Sequence, residues 1–202
     1  MNLFLERKVQ GTGRQLLGIS GTFAGGKDLL SDHLADEHAF MHVSTGGILR
    51  KVLAQRGITA PSRELLLETS SALHVVHGPS AMVDIALEDY RKKRHSFCGG
   101  LVVSGLRHPT EAVAVKEKGG TLAYVDAPVD IRFVRSLNRG RSDGVYELAV
   151  FAAQEQRELE GSVQGGPNLL AIKAMADVEL LNDGSIDSFM VQSHASFGIQ
   201  VR

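Results

Sequence analysis

Gln15-Leu16-Leu17-Gly18-Ile19-Ser20, running directly into Gly21-Thr22-Phe23-Ala24-Gly25-Gly26-Lys27-Asp28, is the stretch that decides the fold. A short, mostly apolar run bounded by glycine reads as a buried strand. From Lys27 to about Glu37 the pattern is helical. The connecting string is G-x-x-x-x-G-K. Successive backbone N–H groups of such a loop point inward and wrap phosphate oxygens, and glycine lets the main chain approach the anion without a side chain between. Lys27 then meets the terminal phosphates as a point charge. In a chain with 22 glycines the string alone is weak; its place between strand and helix makes it specific. Read this way, Gly21, Thr22, Phe23, Ala24, Gly25, Gly26, Lys27, Asp28 and Leu29 hold ATP. The plainer alternative is a glycine-rich turn with a solvent lysine.

Outward from this point, strands and helices alternate. Strand runs are expected at Phe40–Val43, Leu101–Ser104, Thr121–Asp126 and Val178–Leu181. Helices are expected over about 46–56, 62–76, 80–94, 109–118, 130–138 and 146–160, with a last one from about Ser185. Pro61 and Pro79 stand near the starts of two of them, where proline is tolerated. Alternation of this kind implies an α/β fold, a parallel sheet covered on both faces. Residues 161–167 (GSVQGGP) read as a loop inside one domain of 202 residues.

Composition narrows the function. Net charge is −1, which argues against a dedicated nucleic-acid binder. The lone cysteine, Cys98, cannot form an intramolecular disulfide. No apolar run approaches membrane-spanning length, and the first residues lack a signal peptide's apolar core. The expectation is a cytoplasmic enzyme, monomer or homodimer, with a small-molecule nucleotide substrate and neither nucleic acid nor membrane as partner.

The residue after Lys27 is Asp28, where a Mg²⁺-contacting hydroxyl is usual in such loops. A carboxylate is also a hard oxygen ligand. The run LVVS ends in Ser104, where a metal-associated acid is usual. An exchange is therefore expected, acid on the loop and hydroxyl on the strand, so that Asp28 and Ser104 serve Mg²⁺, with Asp126 approaching through water. Helix capping is the simpler reading of Asp28 and of Asp126.

Val43-Ser44-Thr45-Gly46-Gly47-Ile48-Leu49-Arg50 follows a strand and opens a helix, with Ser44 or Thr45 as its natural N-cap. STGGILR is similar to the STGD-[ML]-LR segment of adenylate kinases and related nucleoside monophosphate kinases. That resemblance implies acceptor-binding roles for Ser44, Thr45, Gly46 and Arg50, although Gly47 stands where the family has Asp. Ser104-Gly105-Leu106-Arg107-His108-Pro109-Thr110 resembles the DGFPRT segment, with Arg107 one residue early. The loop ending GGKD resembles those of phage deoxynucleoside monophosphate kinases and phosphomevalonate kinases. Residues 176–185 (ADVELLNDGS) resemble the tail of dephospho-coenzyme A kinases, which implies that Asn182, Asp183 and Gly184 lie beside the ATP adenine. Taken together the chain resembles the P-loop nucleotide kinases, including a group labelled AAA-family or dephospho-coenzyme A kinase-like ATPases. The resemblance implies a three-layer α/β/α sandwich, a five-stranded parallel sheet of order 2-3-1-4-5, an acceptor-binding insert at about 44–95 and a short lid at about 135–165.

Arg132, Arg135 and Arg139 are spaced i, i+3, i+7, on one helix face, with Arg141 and Arg157 beyond. Guanidinium forks there would neutralise charge spread over a transferring phosphoryl group. A solvated helix face is the commoner meaning of such spacing. Lys27, Arg107, Arg135, Arg139 and Arg141 are the expected catalytic cations, and Arg157 joins the substrate set. The run at 91–94 (RKKR) reads as a hydrated helix end, and the pair His74 and His77 lacks a third metal ligand.

The expected reaction is transfer of the ATP γ-phosphoryl group to a nucleoside or deoxynucleoside monophosphate. A phosphate acceptor is already largely ionised at neutral pH and needs positioning more than a base. A dephospho-coenzyme A kinase would need a carboxylate after the second strand, and Ser44-Thr45-Gly46-Gly47 offers none. A regulatory protein that binds ATP and turns it over slowly is the alternative outside the kinases.

Overall fold

The computed structural model describes residues 14–138, 147–161 and 166–200, without the side chains of residues 63, 154, 157 and 158. Five parallel strands form one sheet: β1 (Gln15–Gly21), β2 (Phe40–Ser44), β3 (Gly100–Leu106), β4 (Thr121–Asp126) and β5 (Val178–Leu181), in the order β2-β3-β1-β4-β5. The expected α/β architecture and strand order are the observed ones. β1 sits centrally, and six of its seven residues are buried, as a strand covered on both faces must be.

Two apolar clusters flank the sheet. On one face α1 (Lys27–His38) and α9 (Ile186–Phe197) pack Leu30, Leu34, Phe189 and Phe197 against Leu17, Ile19, Val102 and Ala123. On the other, α2 (Thr45–Gln55), α4 (Ala81–Lys93), α5 (Pro109–Glu117) and α8 (Leu169–Met175) pack Leu49, Met82, Val115 and Ile172 against Leu16, Leu101 and Leu122. Each fully buried leucine contributes about 1.5–3 kcal/mol relative to exposure. α3 (Arg63–His77) joins α2 and α4 between β2 and β3, within the span of the expected acceptor insert. α6 (Val129–Asn138) and α7 (Leu148–Glu160) follow β4; α7 and the last residues of α6 fall in the span of the expected lid.

Two local details differ from the sequence expectation. Leu169–Met175 is a helix in the stretch between the expected loop 161–167 and the expected last strand, for which no element is expected; Asn168 caps it by accepting from the Ala171 amide at 2.8 Å. β3 does not end at Ser104 but continues to Leu106, because its pairing with β1 shifts register between Ile19 and Ser20. The Ser20 hydroxyl closes that irregularity by donating to the Leu106 carbonyl at 2.7 Å.

Candidate functional site

The loop between β1 and α1 lies at the C-terminal edge of the sheet, where open α/β folds bind ligands. Its path is fixed by backbone close to backbone. A Cβ on Gly21 would lie 1.9 Å from the Val125 carbonyl oxygen, and Gly21 has φ +138°. The Thr22 amide donates to that same carbonyl at 3.2 Å, and the Gly25 amide donates to the Thr22 carbonyl at 3.2 Å. Ala24 takes a left-handed conformation, φ 58°, uncommon for a residue with a side chain. The Lys27 ammonium folds over the loop and donates to the Thr22 carbonyl at 2.5 Å. This is a turn of main-chain amides with its cation poised at the mouth.

Three neighbours brace the turn. The Thr22 hydroxyl donates to Asp126 Oδ1 at 2.8 Å, tying the loop to the end of β4. Asp126 also accepts from the Ala127 amide at 2.9 Å and lies 3.6 Å from Lys173. Asn182, just past β5 and buried, donates to the Gly25 carbonyl at 2.9 Å. Arg135 holds Asn182 in turn, at 3.1 Å to its carbonyl and 3.2 Å to its side-chain oxygen. Phe23 meets Phe151 of α7 with ring centroids 5.9 Å apart, so the loop is in contact with that helix.

A cleft of about 380 Å³ opens beside the loop. It is lined by Lys27, Asp28 and Asp32 of α1, by His42 and Ser44 of β2 with Thr45, Gly46 and Arg50 of α2, and by Ser104, Gly105 and Arg107 at the end of β3. The volume falls in the range of small-ligand sites. The segments 44–50 and 104–107 are built as one piece. Ser44 is the N-cap of α2, accepting from the Gly47 amide at 3.0 Å. Thr45 instead donates to the Gly105 carbonyl at 2.8 Å, joining α2 to the end of β3. Arg50 folds back over the first turn of its helix, its NH1 3.0 Å from where a Cβ on Gly46 would stand. Glu111, 2% exposed, accepts from the Arg107 and His108 amides at 3.0 and 3.2 Å and so fixes the backbone at Arg107. His74 Nε2 lies 3.3 Å from the other Glu111 oxygen, and this carboxylate raises the His74 pKa above its ordinary value against the lowering effect of burial.

The expected residues therefore separate. Phe23, Ala24, Gly26, Lys27, Asp28, Ser44, Thr45, Gly46, Arg50, Ser104 and Arg107 converge on one cleft. Asn182 and Arg135 stand behind the loop as its brace, and Asp126 is engaged by Thr22. Leu29, Asp183 and Gly184 are exposed. Arg132, grouped with Arg135 by spacing, is buried instead, donating to the Ala127 carbonyl at 2.6 Å and to Glu155 of α7. Arg139 and Arg141 lie outside the described residues, as does the side chain of Arg157 on α7.

Sequence reasoning missed a chain of three side chains. His42 Nδ1 lies 3.0 Å from Asp32 Oδ1, and His42 Nε2 lies 2.7 Å from Ser104 Oγ. The signal was present: His42, Ser44 and Ser104 are polar residues on paired strands running to the ligand edge, with Ser44 opposite Ser104. For a divalent cation beside bound phosphates, Asp28 and Asp32 are the fitting donors. Spaced i, i+4 on α1, both reach the cleft with hard oxygens.

No protein-family model matches the chain. A UPF0200 protein of Methanococcus vannielii is 26% identical over 181 residues, 87% of this chain and 91% of that protein. A UPF0200 protein of Sulfurisphaera tokodaii is 25% identical over 176 residues, with 87% of this chain and 91% of that protein covered. Among solved structures, the shikimate kinase from Acinetobacter baumannii in complex with shikimate aligns with TM-score 0.58 at 9% identity, over 94% of this chain and 96% of that one. The shikimate kinase from Bacteroides thetaiotaomicron aligns with TM-score 0.55 at 12% identity, over 91% and 98%.

Proposed function

Because the chain has the fold of the P-loop kinases, we propose that it transfers the γ-phosphoryl group of ATP to the phosphate of a nucleoside or deoxynucleoside monophosphate. One observation carries the reading. A single cleft is lined by Lys27, at the mouth of the amide turn, and by Arg50 and Arg107. Two guanidiniums sharing a cleft with one ammonium suit an acceptor that is itself an anion, and bidentate forks fit phosphate oxygens. Lys27 leaves the Thr22 carbonyl for the terminal phosphates. Arg50 and Arg107 hold the acceptor phosphate in line, and Asp28 and Asp32 would hold Mg²⁺, which would help neutralise the charge of the transferring group.

A second reading rests on its own observation. His42, oriented by Asp32, is a proton acceptor at the place where the sequence offers no acid. A hydroxyl acceptor needs such a group. Under that reading the enzyme phosphorylates an alcohol, as a dephospho-coenzyme A kinase does.

A coupled ADP-release assay separates the two. Purified chain with ATP and Mg²⁺ is screened against ribo- and deoxynucleoside monophosphates, dephospho-coenzyme A and a phosphate-free hydroxy acid. The proposal requires ADP release to rise at least about tenfold over ATP alone with one monophosphate. A rise only with a hydroxyl acceptor replaces it by the second reading. Tight ATP binding with no acceptor effect makes the chain a nucleotide-binding regulator.

A further inference from the structure

Away from the cleft, at the other end of α1, three imidazoles meet. His33 and His38 belong to α1 and His194 to α9, 161 and 156 residues away in sequence. His194 Nε2 lies 2.9 Å from His33 Nε2 and 3.0 Å from His38 Nε2. The His33 and His194 rings stack at 5.0 Å, and the His38 ring stands edge-on to His194 at 4.6 Å. His194 is 5% exposed, and its Nδ1 has no hydrogen-bond partner.

Protons do not account for this convergence. A neutral imidazole nitrogen carries either one hydrogen or one in-plane lone pair. His194 Nε2 can therefore make one good hydrogen bond, yet two nitrogens crowd it at hydrogen-bond distance. Protonating the rings adds hydrogens but sets like charges against one another in a partly buried pocket. A cation answers all three lone pairs at once. At a Zn–N distance of about 2.0–2.1 Å, tetrahedral ligand nitrogens stand roughly 3.3 Å apart, so the two His194 contacts need open only by a few tenths of an ångström, and ligand nitrogens of all three rings already lie within 4.8 Å of one another.

We propose that His33, His38 and His194 form a binding site for a divalent transition-metal ion, zinc foremost, that cross-links α1 to α9. Three imidazoles without a carboxylate or thiolate suit Zn²⁺, Co²⁺, Ni²⁺ and Cu²⁺ and reject Mg²⁺, which demands oxygen ligands. A three-ligand set leaves a fourth position for water. The site is separate from the cleft. Asp32 directly precedes His33, but successive residues turn about 100° round a helix: Asp32 meets His42 of β2, and His33 meets His194 of α9. One helix thus offers oxygen donors on the side of the cleft and nitrogen donors on the side of α9.

The test uses the full chain without a purification tag, stripped with chelator and dialysed. Titrated Co²⁺ should bind one per chain with the visible absorption of a low-coordinate nitrogen site, and Zn²⁺ should bleach it. Zn²⁺ at a hundredfold excess over its Kd should raise the Tm by roughly 5–10 °C, and Mg²⁺ should not. His33→Gln and His38→Gln, with helical content checked by circular dichroism, should each weaken Co²⁺ binding by about a hundredfold. His77→Gln, an exposed control, should leave it unchanged. Wild-type protein with neither the Co²⁺ spectrum nor the Zn²⁺ shift overturns the proposal. So does stoichiometric binding that survives both substitutions.

Discussion

The Asn182 side chain donates to the Gly25 carbonyl at 2.9 Å, so the phosphate loop is held in shape by a residue 157 positions away. A Cβ on Gly26 would meet that same amide nitrogen at 2.2 Å, which shows how closely the brace is fitted. Removing it by Asn182→Ala leaves the Gly25 carbonyl unsatisfied, at a cost of about 1–3 kcal/mol. The Tm should fall, and nucleotide affinity should drop roughly tenfold. ATP and GTP should weaken in the same ratio, since the brace acts on the loop. A loss confined to ATP, measured by titration calorimetry, would instead restore Asn182 to the adenine contact that the tail resemblance implies.

Lys27→Met keeps the stem and removes the charge. In the folded chain the ammonium donates to the Thr22 carbonyl, a hydrogen bond of ordinary worth, whereas the transferring phosphoryl group needs its full charge. Turnover should fall at least about a hundredfold while the Tm changes by less than about 3 °C. Steady-state ADP release and a thermal melt, run together, check the pair of outcomes.

Arg50→Gln and Arg107→Gln address the acceptor wall. Each should raise the KM for the acceptor by about tenfold or more, the loss of one charge-assisted contact. The KM for ATP should stay within about twofold. A rise in the ATP KM equal to that for the acceptor would place these guanidiniums on the nucleotide triphosphate instead.

His42→Asn distinguishes the two acceptor chemistries. If the acceptor is a phosphate, His42 serves only to order Asp32 and Ser104, and kcat should fall by less than about tenfold. If it is a hydroxyl, loss of the proton acceptor should lower kcat by about 10²–10⁴. The measurement is kcat at saturating acceptor, for wild type and variant, with the substrate that the ADP-release screen identifies.

Stability should carry a pH signature from His74. Its pKa is raised in the folded chain by Glu111, assisted by the Ser70 carbonyl and opposed by burial. The folded state therefore binds this proton more tightly than the unfolded chain does. The contribution is fully present below the unfolded value, about 6.5, and is lost as pH rises through the folded one. The Tm advantage of wild type over His74→Gln should be largest near pH 5.5 and shrink toward pH 8.5. An advantage that grows with pH would contradict the assignment.

The sheet and the phosphate loop were legible because each rests on local pattern. The apolar run 15–20, the glycines at 25 and 26 and the helical pattern beyond them specify one strand–loop–helix unit whatever the remainder does. The rest depends on residues meeting across the fold. Spacing put Arg132 and Arg135 on one helix face, but a face does not say whether Glu155 arrives to bury one of them. His33 and His38 are five apart, about 140° round a helix, so no helical-face rule pairs them; His194 brings them together. α8 was hidden because seven residues, LLAIKAM, are too few for a helical period to outweigh the glycines before them.

The hydroxyl of Thr45 is bound to the Gly105 carbonyl, and this small tie mounts Arg50, on α2, and Arg107, just past β3, on a common block. Such a block is built as a calliper: the span between its jaws is set before any guest arrives. If the proposed reaction holds, molecules would be sorted by the reach from their anionic group to the reacting atom, and the identity of whatever hangs beyond that span would matter less.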